Sequence, residues 1–293
     1  MFSSFSKRRP GIPKFYYVSD IQDRSVYNPN LAPVKPFPKQ GQLKLLLNEI
    51  RFFSESIDIH HDLRKGVNYT VLYIGSSPGL HIPFLIQLYS KYKIKWWFYD
   101  PKPACQKLKD MAKKNKNINL IENYFTKDDI KTFKNTRDLI FISDIRSSED
   151  NSEPTTTNLL FDYKLQNEIL LELQPLFAHL KFRVPFPDDW VEGTVLQVPD
   201  GEEQLQAFAP SSSAEYRIFC TQPLFLSEIS TMEQLVSYEE QFSWYNTYQK
   251  KENDLVIAAH ILNVYFRKEK GETYNLTKDT VMDFIKKKIL NKF

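Results

Sequence analysis

One stretch of sequence decides the fold of this chain: residues 70–81, which read Thr70-Val-Leu-Tyr-Ile-Gly75-Ser-Ser-Pro-Gly79-Leu-His81. An apolar run leads directly into a glycine, and a second glycine follows four residues later. Such a run is typical of a strand that is buried on both faces. Gly75 has no Cβ atom, so the chain can turn there and a ligand can approach the main chain closely. Gly79 allows the next helix to start tight against the strand. The stretch therefore predicts a strand, a ligand-binding turn and a helix.

The turn after this strand favours one kind of ligand. It lacks the Gly-x-Gly-x-x-Gly pattern of dinucleotide sites, and no Gly-Lys-Ser/Thr follows that would bind a nucleoside triphosphate. A single adenosine fits better. Asp100 ends the next apolar run, where a carboxylate can accept hydrogen bonds from both hydroxyls of a ribose. An ordinary aspartate in a turn before Pro101 is the alternative, and on spacing alone both interpretations stay open.

Outward from residues 70–81, apolar runs alternate with helical patterns. We predict strands at 70–74, 94–99, 118–121, 138–143 and 180–184, and a hairpin through 194–198 and 214–221. Helices are predicted near 42–59, 80–91, 103–115 and 158–179, with a short helix opening at Thr126 and two or three helices closing the chain. This alternation indicates an α/β, Rossmann-like fold with a mainly parallel central sheet flanked by helices. Ligands of such sheets bind at the carboxyl ends of the strands.

The start of the chain has a different composition. Six prolines, at positions 10, 13, 29, 33, 36 and 38, exclude regular helix or sheet there. We predict an extended proline-rich arm over residues 1–38 and a single domain over 39–293 that ends in C-terminal helices.

The composition excludes several classes of protein. Hydrophobic residues make up 42 % of the chain, but the net charge is only +3, so any contact with RNA must come from local patches. The two cysteines form no Cys-x-x-Cys motif and the pair His60-His61 stands alone, so we predict no metal site. No run approaches the ~18 apolar residues of a membrane span, and no signal peptide is recognisable. We therefore expect an intracellular protein without a membrane span.

Four charged residues accompany the predicted sheet. Asp144 follows an apolar strand, Lys181 and Glu215 lie beside two further strands, and Lys44 lies in the helix that precedes the sheet. Each could be an ordinary solvated charge, and the triplet Asp144-Ile-Arg146 could be a local ion pair. Their convergence on one edge of the sheet favours a common site.

Such a set suits the deprotonation of a ribose 2′-hydroxyl. A lysine can accept that proton only if its pKa falls from ~10.4 toward neutrality. Partial burial and a second lysine lower a lysine pKa, while carboxylates orient the amines. Transfer of a methyl group from a sulfonium donor then depends on in-line positioning, and it needs no metal.

These residues also carry a resemblance to a known family. The chain resembles the poxvirus cap-specific mRNA 2′-O-methyltransferases, which also serve as the small processivity subunit of the viral poly(A) polymerase. The resemblance covers roughly residues 20–265 and is carried by Gln40-Gly-Gln-Leu-Lys-Leu-Leu-Leu, Tyr73-Ile-Gly-Ser-Ser-Pro-Gly-Leu-His, Ile142-Ser-Asp-Ile-Arg, Glu153-Pro-Thr, Tyr163-Lys-Leu-Gln-Asn, Phe186-Pro-Asp-Asp-Trp and Phe208-Ala-Pro-Ser-Ser-Ser-Ala-Glu.

The resemblance implies roles for particular residues. It implies a catalytic tetrad of Lys44, Asp144, Lys181 and Glu215, with Lys181 as the general base. It implies S-adenosylmethionine as the cofactor, and cofactor contacts at Gln42, Tyr73, Gly75, Gly79, His81, Asp100, Tyr124, Phe125, Asp144 and Ile145.

A site for the methylated cap is implied as well. Tyr27 and Phe186 match the two rings that stack on methylguanine, and Asp188 and Glu239 match the carboxylates that accept its N1 and N2 protons. A cationic base between two rings gains cation–π stabilisation that plain guanine lacks. Two departures stand out: Ser212 replaces an aromatic residue of the family, and Pro101-Lys102 replaces a Gly-Arg pair after the ribose-binding aspartate.

The implied partners are capped mRNA and the catalytic subunit of a viral poly(A) polymerase, with neither a membrane nor a metal. The implied location is the host cytoplasm and the virion of a cytoplasmic large DNA virus. Two alternatives to an mRNA methyltransferase remain: a non-catalytic subunit that tethers RNA for a poly(A) polymerase, a role that can coexist with catalysis, and a small-molecule methyltransferase.

Overall fold

The structure is a computed structural model that describes residues 11–28, 34–56, 67–147 and 153–293. The histidine pair at 60–61 and residues 57–59 of the first predicted helix lie outside the described residues, as do residues 1–10 and 29–33 of the predicted arm.

Seven strands form the central sheet, in the order β3-β2-β1-β4-β5-β8-β7, and two more form a small separate sheet. Strands β1 to β5 pair with one another in parallel, whereas β8 runs antiparallel to both of its neighbours, β5 and β7. This confirms the predicted Rossmann-like fold with a mainly parallel sheet. The strands are β1 Asn68–Ile74, β2 Lys93–Tyr99, β3 Ile118–Ile121, β4 Leu139–Ser143, β5 Phe177–Phe182, β6 Leu196–Pro199, β7 Glu202–Gln204, β8 Tyr216–Thr221 and β9 Leu226–Ile229.

One helix precedes the strands and the others lie between and after them, and the last three close the chain as predicted. They are α1 Gln40–Arg51, α2 Ile82–Leu88, α3 Gln106–Lys114, α4 Lys127–Phe133, α5 Thr156–Leu173, α6 Met232–Tyr248, α7 Lys250–Tyr265 and α8 Val281–Lys288. Short π-helical turns continue α1 over Phe52–Ser56 and α7 over Phe266–Lys270.

The core lies on both faces of the sheet. All five residues of β4 are buried, and β1 is buried from Val71 to Ile74. Such continuous apolar strands are expected where helices cover both faces of a parallel sheet. Helix α1 packs the side chains of Leu43, Leu46, Leu47 and Ile50 into this core.

The chain leaves α5 earlier than predicted. The helix ends at Leu173 because Gln174 takes a left-handed conformation, with a φ of 43°, and Pro175 cannot continue the helix. Residues 177–179 belong to β5 instead. Lys181 is therefore the fifth of six residues in β5, close to its carboxyl end.

The predicted hairpin through 194–198 and 214–221 was wrong. β6 pairs with β9, and β8 pairs with β5 and β7 in the central sheet. The first five residues of β8 are all buried, so the strand requires cover on both faces. A hydrophobic pattern predicts that a segment forms a strand, but not which strand it pairs with. The two segments of the predicted hairpin belong to different sheets.

One segment of the arm, residues 15–21, packs on the domain, whereas most of the other described arm residues are exposed. Phe15, Tyr16, Val18 and Ile21 are buried, and the Asn253 side chain of α7 donates a hydrogen bond to the Phe15 carbonyl at 2.8 Å. The boundary at residue 38 stays a prediction.

Candidate active site

The four predicted catalytic residues meet at the carboxyl edge of the sheet. Asp144 directly follows β4, Lys181 lies near the end of β5, and Glu215 directly precedes β8. Because β8 is antiparallel to β5, its first residue lies at the carboxyl end of β5. Lys44 reaches the same place from the second turn of α1.

One tight and two loose contacts describe the tetrad. Nζ of Lys44 lies 2.5 Å from Oε1 of Glu215. Nζ of Lys181 lies 3.5 Å from Oδ1 of Asp144 and 3.6 Å from Oε2 of Glu215. The four side chains are only 6–15 % exposed. Lys181 is therefore near both carboxylates without being held closely by either.

Two buried residues that the sequence did not single out complete the site. Arg217, in β8, is 2 % exposed, and its Nη2 donates to Oδ1 of Asp144 at 2.6 Å. Gln206 donates from Nε2 to the Oε1 and the carbonyl of Glu215, and its Oε1 accepts from Asn48 of α1 and Nε of Arg217. Both residues hold catalytic side chains in place. The arginine is visible in the sequence only as a charge inside an apolar strand.

The charges of the site shift the pKa values of its members. Burial lowers the pKa of Lys44, although Glu215 opposes that shift. Burial alone would raise the pKa of Glu215, but Lys44, Lys181 and Arg217 outweigh it and hold the pKa well below its usual value. The same balance of burial against Lys181 and Arg217 lowers the pKa of Asp144. Both carboxylates are therefore ionised at neutral pH.

The sequence left open a local ion pair between Arg146 and Asp144. Its guanidinium instead lies 3.5 Å from Oε2 of Glu215, and it is more exposed than the tetrad. It adds an exposed positive charge at the mouth of the site.

The glycine turn lies against the tetrad. Gly75 has a φ of +80°, and a Cβ atom added there would lie 2.6 Å from the main-chain carbonyl of Asp144. Gly79 has a φ of +61° and would meet the Ser76 carbonyl at 2.7 Å. Glycine is required at both positions, because an L side chain would be strained and would clash.

Asp100 closes the turn from the neighbouring strand. Its two carboxylate oxygens accept the main-chain N–H groups of Ser77, at 2.9 Å, and Lys102, at 2.8 Å. Each oxygen keeps a lone pair for a further donor. The ordinary turn role and a ribose-binding role are therefore compatible.

Gln42, Tyr73 and His81 form one buried network. His81 Nδ1 lies 2.8 Å from Oε1 of Gln42, and its Nε2 lies 3.0 Å from Oε1 of Glu49. The Tyr73 hydroxyl donates to the same Glu49 oxygen at 2.8 Å. Glu49 was not predicted, and its other carboxylate oxygen is buried with no partner among the described residues.

The other residues predicted to contact the cofactor, Phe125, Tyr124 and Ile145, differ in their exposure. Phe125 is buried against the ring of Tyr99 at 4.9 Å, whereas the Tyr124 side chain is exposed. Only the main chain of Tyr124 could then form part of a binding wall. Ile145 lines the cavity described next.

A cavity of about 290 Å³ opens beside the tetrad. Lys44, Lys181 and Glu215 line it together with Tyr27, Phe186 and Ser212. The Arg183 guanidinium covers one face of the Phe186 ring, 4.1 Å from its centroid. Two of the four predicted cap residues thus share one cavity with three of the predicted catalytic residues.

Asp188 and Glu239 lie close to each other. Burial, followed by the negative charge of Asp188, raises the pKa of Glu239. Glu239 and Phe186 line a small adjoining pocket. These two residues are therefore neighbours of the main cavity rather than part of its lining.

No cluster of metal-ligating side chains occurs in the part of the chain that the structure describes. Among the described helices, none has the length and hydropathy needed to cross a membrane.

Fold and site together define a class: a Rossmann-like α/β protein with a buried Lys-Asp-Lys-Glu site at the carboxyl edge of its sheet. The sequence model of the family described as Poly A polymerase regulatory subunit matches residues 11–292. The chain belongs to that family, as the resemblance predicted.

Two relatives carry the same name, cap-specific mRNA (nucleoside-2′-O-)-methyltransferase. The protein of Myxoma virus (strain Lausanne) is 34 % identical over 292 residues, which span 92 % of this chain and 82 % of the relative. That of Fowlpox virus (strain NVSL) is 33 % identical over 243 residues, which span 80 % and 75 %. A solved ribosomal RNA methyltransferase of Plasmodium falciparum matches 64 % of this chain and 97 % of its own at 15 % identity, with a TM-score of 0.32, too distant a likeness to support an argument.

Proposed function

We propose that this chain is a cap-specific mRNA (nucleoside-2′-O-)-methyltransferase. It transfers a methyl group from S-adenosylmethionine to the ribose 2′-hydroxyl of the first transcribed nucleotide of capped mRNA. The observation that carries the proposal is the convergence of Lys44, Asp144, Lys181 and Glu215 between the glycine turn and a cavity that Phe186 also lines. The names of the Myxoma virus and Fowlpox virus relatives support it.

The glycine turn fits the methyl donor. Gly75 and Gly79 allow the main chain to turn tightly after β1, and Asp100 retains acceptor capacity for ribose hydroxyls. The partnerless oxygen of Glu49 gives the buried network of Tyr73 and His81 a free acceptor. When bound, S-adenosylmethionine supplies a methyl group on a cationic sulfur.

Lys181 is the proposed general base. Lys44 is held by Glu215 at 2.5 Å, whereas the contacts of Lys181 with the carboxylates are 3.5 and 3.6 Å long. Lys181 can therefore leave those contacts for a substrate hydroxyl at little cost. There its neutral amine would accept the proton of the 2′-hydroxyl, and bound S-adenosylmethionine would supply the methyl group that the hydroxyl oxygen takes up.

Lys44, Asp144, Glu215 and Arg217 position this base. Glu215 and Asp144 stay ionised because cations surround them, and they fix where the Lys181 amine lies. Such positioning supplies a large part of the acceleration in a transfer that needs its three reacting atoms in line.

The cap residues suit a cationic base. Asp188 and Glu239 are neighbouring carboxylates whose mutual repulsion raises the pKa of Glu239, after the larger effect of burial. A positively charged methylguanine relieves that repulsion, whereas neutral guanine does not. Stacking on Phe186 and Tyr27 would add cation–π stabilisation. Tyr27 is 47 % exposed and has room for a ligand against its ring.

A second function is compatible with the first. We propose that the chain also binds RNA as a subunit of a viral poly(A) polymerase, and that it acts in the host cytoplasm and the virion. The description of its family supports the polymerase role, and the viral origin of its relatives supports the location. Co-purification with the larger polymerase subunit and longer tails in its presence would test this, and a failure to associate would count against it.

The principal test is methyl transfer to defined RNA. Purified protein, labelled S-adenosylmethionine and capped RNA should yield label on the first ribose after nuclease digestion, and uncapped RNA should yield none. Folded protein that binds the donor and transfers nothing would refute the proposal. Equal binding of methylated and unmethylated cap analogues would favour a small-molecule substrate instead.

A further inference from the structure

The positive charge of this chain is concentrated at one place. Residues 266–293 contain eight lysines and arginines and four acids, a net charge of +4. Because the whole chain has a net charge of only +3, the other 265 residues together are slightly negative, at −1. The last tenth of the sequence therefore forms the basic part of an otherwise balanced protein.

Packing brings two basic runs of this segment together. The rings of Phe266 and Tyr274 contact the ring of Phe284 in α8, each with centroids 5.5 Å apart. Asn263 exchanges two hydrogen bonds with the main chain of Leu276 and ties the connecting loop to α7. These contacts hold the run after Phe266 against α8, and the cations of the two segments together are here called the basic face: Arg267, Lys268, Lys270, Lys286, Lys287 and Lys288.

The cations of this face are exposed and largely uncompensated. Within the described residues, Arg267, Lys270, Lys286, Lys287 and Lys288 form neither ion pairs nor side-chain hydrogen bonds. The acid inside the first run, Glu269, is turned inward: its side chain is 3 % exposed and pairs with Lys91 at 2.6 Å. Asp283, in the first turn of α8, is exposed and offsets part of the charge.

The basic face adjoins the edge of the sheet that carries the site. Just beyond Lys288, the Leu290 carbonyl accepts a hydrogen bond from Nζ of Lys39 at 3.1 Å. Lys39 directly precedes α1, the helix of Gln42 and Lys44. Lys107, in the first turn of α3, donates to the Lys292 carbonyl.

We propose that the basic face binds the phosphate backbone of the RNA downstream of its capped end. The cavity of about 290 Å³ accommodates a ligand of nucleotide size, so the rest of an mRNA must lie outside it. Single-stranded RNA is bound by exposed cations interleaved with rings, and Tyr274, 38 % exposed, is such a ring here. RNA is favoured over an acidic protein because the proposed function, on which this choice rests, already brings RNA to the adjoining site.

Lysines in the last turn of a helix have a simpler explanation, because they stabilise the helix dipole. The chain offers a matched control: Lys113 and Lys114 occupy the last turn of α3 and Lys116 follows, all exposed. Lys286→Gln/Lys287→Gln/Lys288→Gln and Lys113→Gln/Lys114→Gln/Lys116→Gln remove the same charge from equivalent positions on two helices.

The experiment measures the affinity of each full-length variant for a long, uncapped, fluorescent single-stranded RNA as a function of salt. Each phosphate contact contributes about 0.7 to the slope of log affinity against log salt. The variant at 286–288 should lower that slope by about 2 and weaken binding by about ten- to a hundredfold at ~0.1 M salt, while the variant at 113–116 changes neither. Methylation of a capped dinucleotide should be unchanged in both.

The proposal would be overturned if the variant at 286–288 left the slope of log affinity against log salt unchanged. An equal loss of RNA affinity in both variants would also overturn it. So would loss of binding to the larger polymerase subunit with RNA affinity intact, because the face would then serve a protein. The RNA measurement needs no methyl transfer, so failure of the proposed enzymatic function and failure of this inference are told apart.

Discussion

Replacing Gln206 by methionine removes four hydrogen bonds from the site without removing any catalytic residue. Methionine has nearly the same length and shape, and Gln206 is only 3 % exposed, so packing is retained. The Asn48 amide and Nε of Arg217 lose their acceptor, at 2.6 and 3.1 Å, and Glu215 loses two donated hydrogen bonds, at 2.9 and 3.0 Å.

The magnitude follows from the groups left without partners. A buried donor that loses its acceptor costs about 1–3 kcal/mol. Two such donors predict a fall of about 2–6 kcal/mol in the free energy of unfolding, measured by urea titration. Glu215 keeps its contact with Lys44 of α1 but loses the second link to that helix, which runs through Gln206 to Asn48. A displacement of ~1 Å at a reacting site costs on the order of a hundredfold in rate, so kcat should fall by about that factor.

The assay compares kcat for capped RNA with calorimetric binding of S-adenosylhomocysteine, which should be unchanged because the glycine turn is untouched. Gln87→Met, at an exposed position of α2, is the control and should alter neither quantity. Gln206→Glu should be worse than methionine, because it sets a second carboxylate 3.0 Å from Glu215. A loss of stability under about 1 kcal/mol together with a normal kcat would refute the role assigned to Gln206.

Three further predictions concern the turn, the charges and the cap residues. Gly75→Ala should abolish calorimetric binding of S-adenosylhomocysteine, because the new Cβ would lie 2.6 Å from the Asp144 carbonyl; normal affinity would contradict the close approach. The pKa of Glu215 is depressed by its cations against the effect of burial, so the stability it contributes is present above pH 4.5, its ordinary pKa, and is lost as the pH falls below that value. In urea titrations the difference between wild type and Glu215→Gln should therefore shrink below pH 4.5, and a constant difference would count against the ion pairs. Tyr238→Phe removes a 2.8 Å hydrogen bond to half-buried Glu203 that holds α6 near the cap residues, so it should raise KM for capped RNA and leave kcat nearly unchanged; a fall in kcat alone would contradict this.

The parallel strands, and the convergence of the four charged residues on one edge of the sheet, could be predicted from the sequence because both depend on local signals. An apolar run that ends in glycine specifies a strand and its turn, and charged residues directly after such runs fall on one edge of a parallel sheet. Asp144 and Gly75 were found in this way. The same signals predict Lys181 near the start of a strand, because the predicted helix continues to residue 179. Gln174 and Pro175 instead end the helix at Leu173, so the strand begins earlier.

The residues that support the tetrad could not be found from local pattern. Arg217 lies among buried residues of β8, and it reaches Asp144 only because β8 pairs with β5. The spacing of apolar residues along the sequence does not reveal that pairing. Gln206 lies in a connecting segment and acts through Asn48 of a distant helix. Glu49 reads as a polar position of an amphipathic helix, yet it is buried beneath His81.

The central claim, that Lys181 is the general base, is tested most directly by single-turnover methyl transfer with Lys181→Met on capped RNA. Binding of S-adenosylhomocysteine and of a methylated cap analogue should be preserved, while the rate falls by about 10²–10⁴-fold. Lys164→Met, at an exposed position of α5, should behave as wild type. Methyl transfer by Lys181→Met at a rate near that of wild type, with both ligands bound normally, would contradict the account.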